Sequence, residues 1–210
     1  MDNSQFIIYW GGALFNHKEL IGNQILANAV KNLSNGRYDV RLPQDFQTEP
    51  SAKAVDIRNA DLTELIHCDM VVANFDGAEL DSGTVVEFCI AKALDMPTVL
   101  LRTDFRNVGD SDGIPWNLMC AGWPQTEILW INSLADYQRH GIKDFHNALA
   151  RKIIQSLDKT RATAPWLSAK IALEHFRRTI QSVGGGLDAI LTDETLAAIV
   201  ERKRQKGLLA

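Results

Sequence analysis

Residues 69–102, DMVVANFDGAELDSGTVVEFCIAKALDMPTVLLR, constrain the fold more than any other stretch of this chain. Residues 70–74 are a short apolar run between polar residues, the pattern of a strand covered on both faces of a parallel sheet. A loop with Asp76, Glu79 and Asp81, and with glycines at 77 and 83, separates that strand from a helix. Ser82 is the expected N-cap, Val86, Ile90 and Ala93 the expected core face, and Asp95 and Pro97 the stop. Residues 98–101 make the next buried strand. Glu87 lies about 100° around the helix from Val86, at the edge of the core. On periodicity alone a solvated glutamate explains that position better than a functional one.

The same alternation runs from the first residues to about residue 158. Strands are expected at 6–10, 38–42, 70–74, 98–101 and 128–131. A helix over 17–33 is capped by Asn16 and stopped by Ser34-Asn35-Gly36, and two short helical pieces cover 52–58 and 61–67. A helical turn is expected at 116–122, and Ser133 caps a long helix to about 157. Strands alternating with helices predict a five-stranded, doubly wound parallel sheet of order 2-1-3-4-5. Residues 161–210 read as a helical extension, 166–183 and 192–206 around Gly184-Gly185-Gly186. The chain therefore divides into an α/β unit over 1–160 and an extension over 161–210. The extension's apolar residues, Leu167, Ile171, Phe176, Ile180, Leu196, Ile199 and Val200, are too few for a core of their own. They pack on the domain or on a partner subunit, and we expect an oligomer interface; a lid hinged at the glycines is the competing reading.

Composition excludes several classes. The formal charge of −4 does not suit a nucleic-acid binder that works by bulk electrostatics. The basic run 202–206 reads as a solvated helix end. Cys68, Cys89 and Cys120 show no zinc spacing, and His140 and His146 lie in a polar helix, so no metal is expected. Residues 9–15, YWGGALF, are not a dinucleotide fingerprint, and no cofactor is implied. With no signal-like segment and no long apolar run, a cytoplasmic protein free of membrane contact is expected.

What remains is acidic. In open α/β sheets ligands bind at the carboxyl edge of the strands. Asp76, Asp81 and Glu87 all belong to the loop and helix that follow the central strand. A carboxylate suits attack at a sugar anomeric carbon, whose oxocarbenium-like transition state an anion stabilises. A second acid must protonate the leaving group, and neighbouring carboxylates raise one another's pKa. Phosphoryl transfer and simple nucleotide binding remain compatible with this chemistry.

The segment DG…DSGTVVEFCIAKAL…P, with IIYWGGALF before it and WNLM after it, resembles the nucleoside 2-deoxyribosyltransferase family across about residues 6–131. Its most specific part is D-x-G-x-x-x-E, Asp81 to Glu87. The resemblance implies a flavodoxin-like fold and a ping-pong exchange between 2'-deoxynucleosides and free nucleobases through a covalent deoxyribosyl-enzyme, as in nucleoside salvage. By position, Glu87 matches the nucleophile and Tyr9 the tyrosine that steadies it. Asp81 and Asp61 match two aspartates that hold substrate and assist departure of the base. Gln47 matches a base-contacting glutamine and Phe15 an aromatic wall, with Gly11 and Asp76 beside the substrate. Asn117 matches an asparagine donated across the interface of a homo-oligomer, a dimer or a trimer of dimers.

Each residue also has a plain structural role open to it: Asp61 or Asp81 as a helix cap, Tyr9 in the core, Asn117 opening a turn. Typical family members end soon after the fifth-strand helix, so the extension is a departure. Two other activities fit: hydrolysis of the N-glycosidic bond of a 2'-deoxynucleoside or deoxynucleotide, and a non-catalytic nucleotide-sensing module. The phosphate pocket of deoxynucleotide hydrolases would be occupied here by Asp81, which repels a 5'-phosphate.

Overall fold

The computed structural model describes residues 5–46, 52–106, 109–110 and 113–210. Five strands, β1 (Phe6–Gly11), β2 (Tyr38–Arg41), β3 (Met70–Asn74), β4 (Thr98–Arg102) and β5 (Thr126–Trp130), form one sheet of order β2-β1-β3-β4-β5, with every neighbouring pair parallel. The expected strand order and parallel pairing are thus observed. Gly11 pairs with Ala73 at the carboxyl edge, beside the topological switch point between β1 and β3.

Residue parity along each strand separates two cores. Ile8, Trp10, Val72, Val99 and Leu101 face α1 (His17–Leu33) and α4 (Ser133–Ala162). Tyr9, Val71, Ala73 and Leu100 face α2 (Ala54–His67) and α3 (Ser82–Ala93). Asn16 caps α1 by accepting from the Lys18 and Glu19 amides, and Asn35 and Gly36 end it in the left-handed region at φ 53° and 76°.

Several local expectations are corrected. The helical pieces expected at 52–58 and 61–67 are one helix, α2, so Asp61 lies within it and caps nothing. Asp81, not Ser82, caps α3, because its carboxylate accepts from Thr84 N; likewise Asn132, not Ser133, caps α4. α4 extends to Ala162 and breaks at Gly141 (φ 68°, ψ 171°), between the two histidines. The core stripe of α3 is Thr84, Phe88 and Ala91, with Ile90 buried as expected, whereas Val86 is 54% exposed and Ala93 is also outside. The helix is rotated from the expected setting because Asp81 accepts from the Thr84 hydroxyl and so allows that residue inward. The rotation turns Glu87 toward the sheet.

The extension comprises α5 (Ala169–Val183), α6 (Leu187–Ile190) and α7 (Asp193–Gln205). Leu167, Phe176, Ile180, Leu196, Ile199 and Val200 join the same core as Leu62, Leu65 and Phe88, while Ile171 is exposed. Apart from Ile171, the expected apolar residues are covered within the chain. The basic run at 202–206 is not simply a solvated helix end. Lys203, buried, donates to Cys68 O at 2.6 Å, and Arg202 donates to His67 O at 2.5 Å; both carbonyls lie at the C-terminus of α2. Lys206 and Arg202 pair with the fully buried Asp69 at 2.6 and 3.4 Å. Asp95, past the end of α3, accepts from the Trp166 and Leu167 amides, each at 2.8 Å. Among the described residues no helix is long and apolar enough to cross a membrane.

Candidate active site

Glu87 is held on one side and given clearance on the other. The Tyr9 hydroxyl, rising from β1, donates to Glu87 Oε1 at 2.6 Å. On the other oxygen, a Cβ added to Gly11 would lie 2.7 Å from Oε2, so glycine is what lets the backbone of β1 approach the carboxylate. Burial pushes the Glu87 carboxyl up to about 7; the Tyr9 hydrogen bond opposes that rise, and the charges of Asp61 and Asp81 add to it. Tyr9 sits in the core against Phe46, and burial together with the Glu87 charge holds its phenol far above the ordinary value, so it remains a donor.

Two further carboxylates complete the cluster, each with a different environment. Asp61 is half-buried on α2, and desolvation raises it to about 6. Asp81 stands at the N-terminus of α3, where its Oδ2 accepts from Thr84 N and Thr84 Oγ1, both at 2.8 Å. Among the described residues nothing donates to its Oδ1. Asp81 therefore takes the capping role open to it from sequence and still has one oxygen for a ligand. Tyr9, Gly11, Asp61, Asp81 and Glu87 are brought together by β1, α2 and α3.

The other sequence candidates lie elsewhere. Asp76 is bound to the start of the loop after β4, accepting from Thr103 N at 2.5 Å, Thr103 Oγ1 at 2.7 Å and Asp104 N at 2.8 Å. Phe15 is 77% exposed on the loop after β1. Asn117 is exposed and caps the 3-10 turn Leu118–Cys120. Gln47 lies outside the described residues. The expected 116–122 helical turn is thus shorter than its sequence span.

Two cavities flank the cluster without Glu87 in their walls. One, of about 540 Å³, lies between α1 and α4 with Lys18, Asn23, Asp76, Phe145 and His146 among its lining. The other, of about 640 Å³, is bounded by Leu80, Val86, Trp116, Asn117 and Met119. Among the described residues no group of His, Cys, Asp and Glu could hold a metal ion. Cys68 and Cys120 are buried, and burial raises both thiols.

Sequence reading missed Arg102. Fully buried at the end of β4, it donates to Phe75 O at 2.7 Å and Gly77 O at 2.8 Å, and so fixes the start of the acidic loop. The available signal was a lone cation closing an apolar strand, where burial demands partners.

A conserved protein from Enterococcus faecalis V583 is similar in fold, with a TM-score of 0.50 at 22% identity over 74% of this chain and 99% of that one. A 2-desoxiribosyltransferase from Leishmania mexicana gives 0.47 at 24% identity, over 65% of this chain and 99% of that one. A 2-deoxyribosyltransferase from Bacillus psychrosaccharolyticus gives 0.46 at 16%, over 66% and 95%. No curated protein matches the chain. The family model for nucleoside 2-deoxyribosyltransferase matches residues 8–119, a span that covers more than half of the chain and contains Tyr9, Gly11, Asp61, Asp81 and Glu87. This chain belongs to the nucleoside 2-deoxyribosyltransferase family.

Proposed function

We propose that this protein moves 2-deoxyribose from a 2'-deoxynucleoside to a free nucleobase through an ester on Glu87, a salvage reaction that reuses a preformed sugar. The observation that carries the reading is the half-buried Glu87 carboxylate, held by Tyr9 at 2.6 Å and approached by a side-chain-free Gly11, with two more carboxylates beside it.

In the first half-reaction Glu87 attacks the anomeric carbon and forms a C–O bond. The C–N bond breaks with its electron pair going to the base, which takes a proton from an acid. In the second half, a nitrogen of the incoming base attacks the same carbon, the ester pair returns to Glu87, and the base's proton returns to the acid. Asp61 is our choice for that acid, because desolvation holds its proton into the neutral range. Asp81, already engaged as an acceptor through Oδ2, is our choice for holding the sugar through Oδ1. Gln47 and Phe15 would meet the base, and Asp76 would act by holding the loop at the pocket rim.

Asn117 would serve the sugar 5'-hydroxyl of a neighbouring subunit in a homo-oligomer. The exposed apolar residues around it support such an interface: Met119 is 73% exposed and Leu118 52%, beside Val86.

Incubating the protein with deoxyinosine plus adenine, and with deoxyinosine alone, tests the reading in one chromatogram. Deoxyadenosine formed only with adenine supports transfer. Hypoxanthine released equally in both, with no deoxyadenosine, identifies a hydrolase, and unchanged deoxyinosine contradicts any glycosidic activity on that substrate.

A further inference from the structure

The glycine run Gly184–Gly186 and the polar pair Arg58–Asn59 take no part in the chemistry above, yet they meet each other. Arg58 Nη2 donates to Val183 O at 2.8 Å and Nη1 to Gly184 O at 3.4 Å. Nη1 also donates to Asn59 Oδ1 at 2.8 Å, and Asn59 Nδ2 to Gly185 O at 2.8 Å. The carbonyls belong to the C-terminal end of α5, where a cation interacts favourably with the negative end of the helix dipole. The three glycines have φ of 65°, 72° and 80°, and a Cβ on Gly185 would come within 2.5 Å of Arg58 Nη1. The positive φ values reserve the run for glycine, and at Gly185 a side chain would also have to displace the Arg58 guanidinium. In this structure the glycine run is tied to α2 by these hydrogen bonds.

The first turn of α2 is exposed, Val55 and Ile57 included, so Arg58 and Asn59 are its first anchored residues. Its other end is held by Arg202 and Lys203 on the His67 and Cys68 carbonyls. Asp61 lies between the two anchors, one turn beyond Arg58. It shares its surroundings with Glu87 of α3 and Tyr9 of β1; α6, also packed on α2, carries the exposed Asp188.

We propose that Arg58 and Asn59 are positioning residues for Asp61: by binding the Val183–Gly185 carbonyls they set the placement of α2, and the C-terminal extension thereby holds the acid against the nucleophile within one chain. The proposal rests on Asp61 being the acid. A slackened α2 leaves substrate binding largely intact and misplaces a proton that is needed only in the transition state.

The test uses full-length Arg58→Ala, Arg58→Lys, Asn59→Ser and Gly185→Ala proteins, with two readouts. Steady-state transfer should show kcat down about 10-fold in Arg58→Ala and Gly185→Ala with KM within about 2-fold, since the lost interaction is specific to the transition state. Arg58→Lys should recover part of kcat, because an ammonium supplies charge without the planar fork. Carboxyl 13C NMR titration of Asp61, run without substrate, should show its midpoint falling toward the ordinary aspartate range as water reaches it. Asn59→Ser, which removes one hydrogen bond, carries the same two readouts if Arg58→Ala does not fold. Variants that lose thermal stability alone, with kcat and the Asp61 titration unchanged, would overturn the proposal. A wild type without transfer refutes the functional reading instead, and the titration still decides whether the anchor governs Asp61.

Discussion

The hydroxyl of Tyr9 and the carboxylate of Glu87 share a 2.6 Å hydrogen bond although they stand 78 residues apart. It forms because parity turns Tyr9 to the α3 face of β1 and because Thr84, not Val86, is the inward residue of α3. That bond favours the ionised carboxylate. Tyr9→Phe keeps the ring and removes the donor, so Glu87 should titrate higher, by about one unit. The acidic limb of the kcat/KM profile should move to higher pH, with activity at neutral pH down about 10-fold. An unmoved limb would show that the hydroxyl does not tune Glu87.

Glu87 also sets a pH dependence of stability. Its folded value, about 7, exceeds the ordinary 4.5, so between those limits the folded state binds more protons than the unfolded state. Stability therefore falls as pH rises through that window, by at most about 3 kcal/mol from this group. Glu87→Gln should match wild type near pH 4.5 and exceed it at pH 8, read from urea midpoints. Equal midpoints at pH 8 would mean that the carboxylate is not strained there.

Gly11→Ala places a methyl 2.7 Å from Glu87 Oε2 without any positive φ to strain. The carboxylate must move, and a displacement of that size is expected to lower kcat about 100-fold. Thermal stability should change little. A protein that keeps its rate would show that the carboxylate relocates freely.

Arg102→Met strips the Phe75 and Gly77 carbonyls of their buried donor and should destabilise the fold by about 3 kcal/mol. Denaturant unfolding measures the loss. A change within experimental error would mean that water replaces the guanidinium.

The strand order was legible because five apolar runs alternate with amphipathic segments, and Glu87 because Asp81, Gly83 and Glu87 keep a family spacing. The rotation of α3 was not. A threonine reads as polar, and only the Asp81 cap explains how Thr84 goes inside. Arg202 and Lys203 looked solvated because their acceptors, His67 O and Cys68 O, lie 135 residues away and are backbone atoms that no side-chain pattern encodes. The same holds for Arg58, whose partners are carbonyls exposed by glycine conformations. Gly11 was named from resemblance; its reason, the clearance to Glu87, required the geometry.

The central claim is a covalent bond between deoxyribose and Glu87. The direct measurement is peptide mass spectrometry of protein denatured in acid during turnover of deoxyinosine, alongside Glu87→Ala treated identically. The account predicts a deoxyribosyl mass on the wild-type peptide containing Glu87, discharged when adenine is added before the quench, and no adduct and no transfer in the variant. An unmodified Glu87 peptide under steady turnover, or a Glu87→Ala protein that still forms deoxyadenosine, would contradict it.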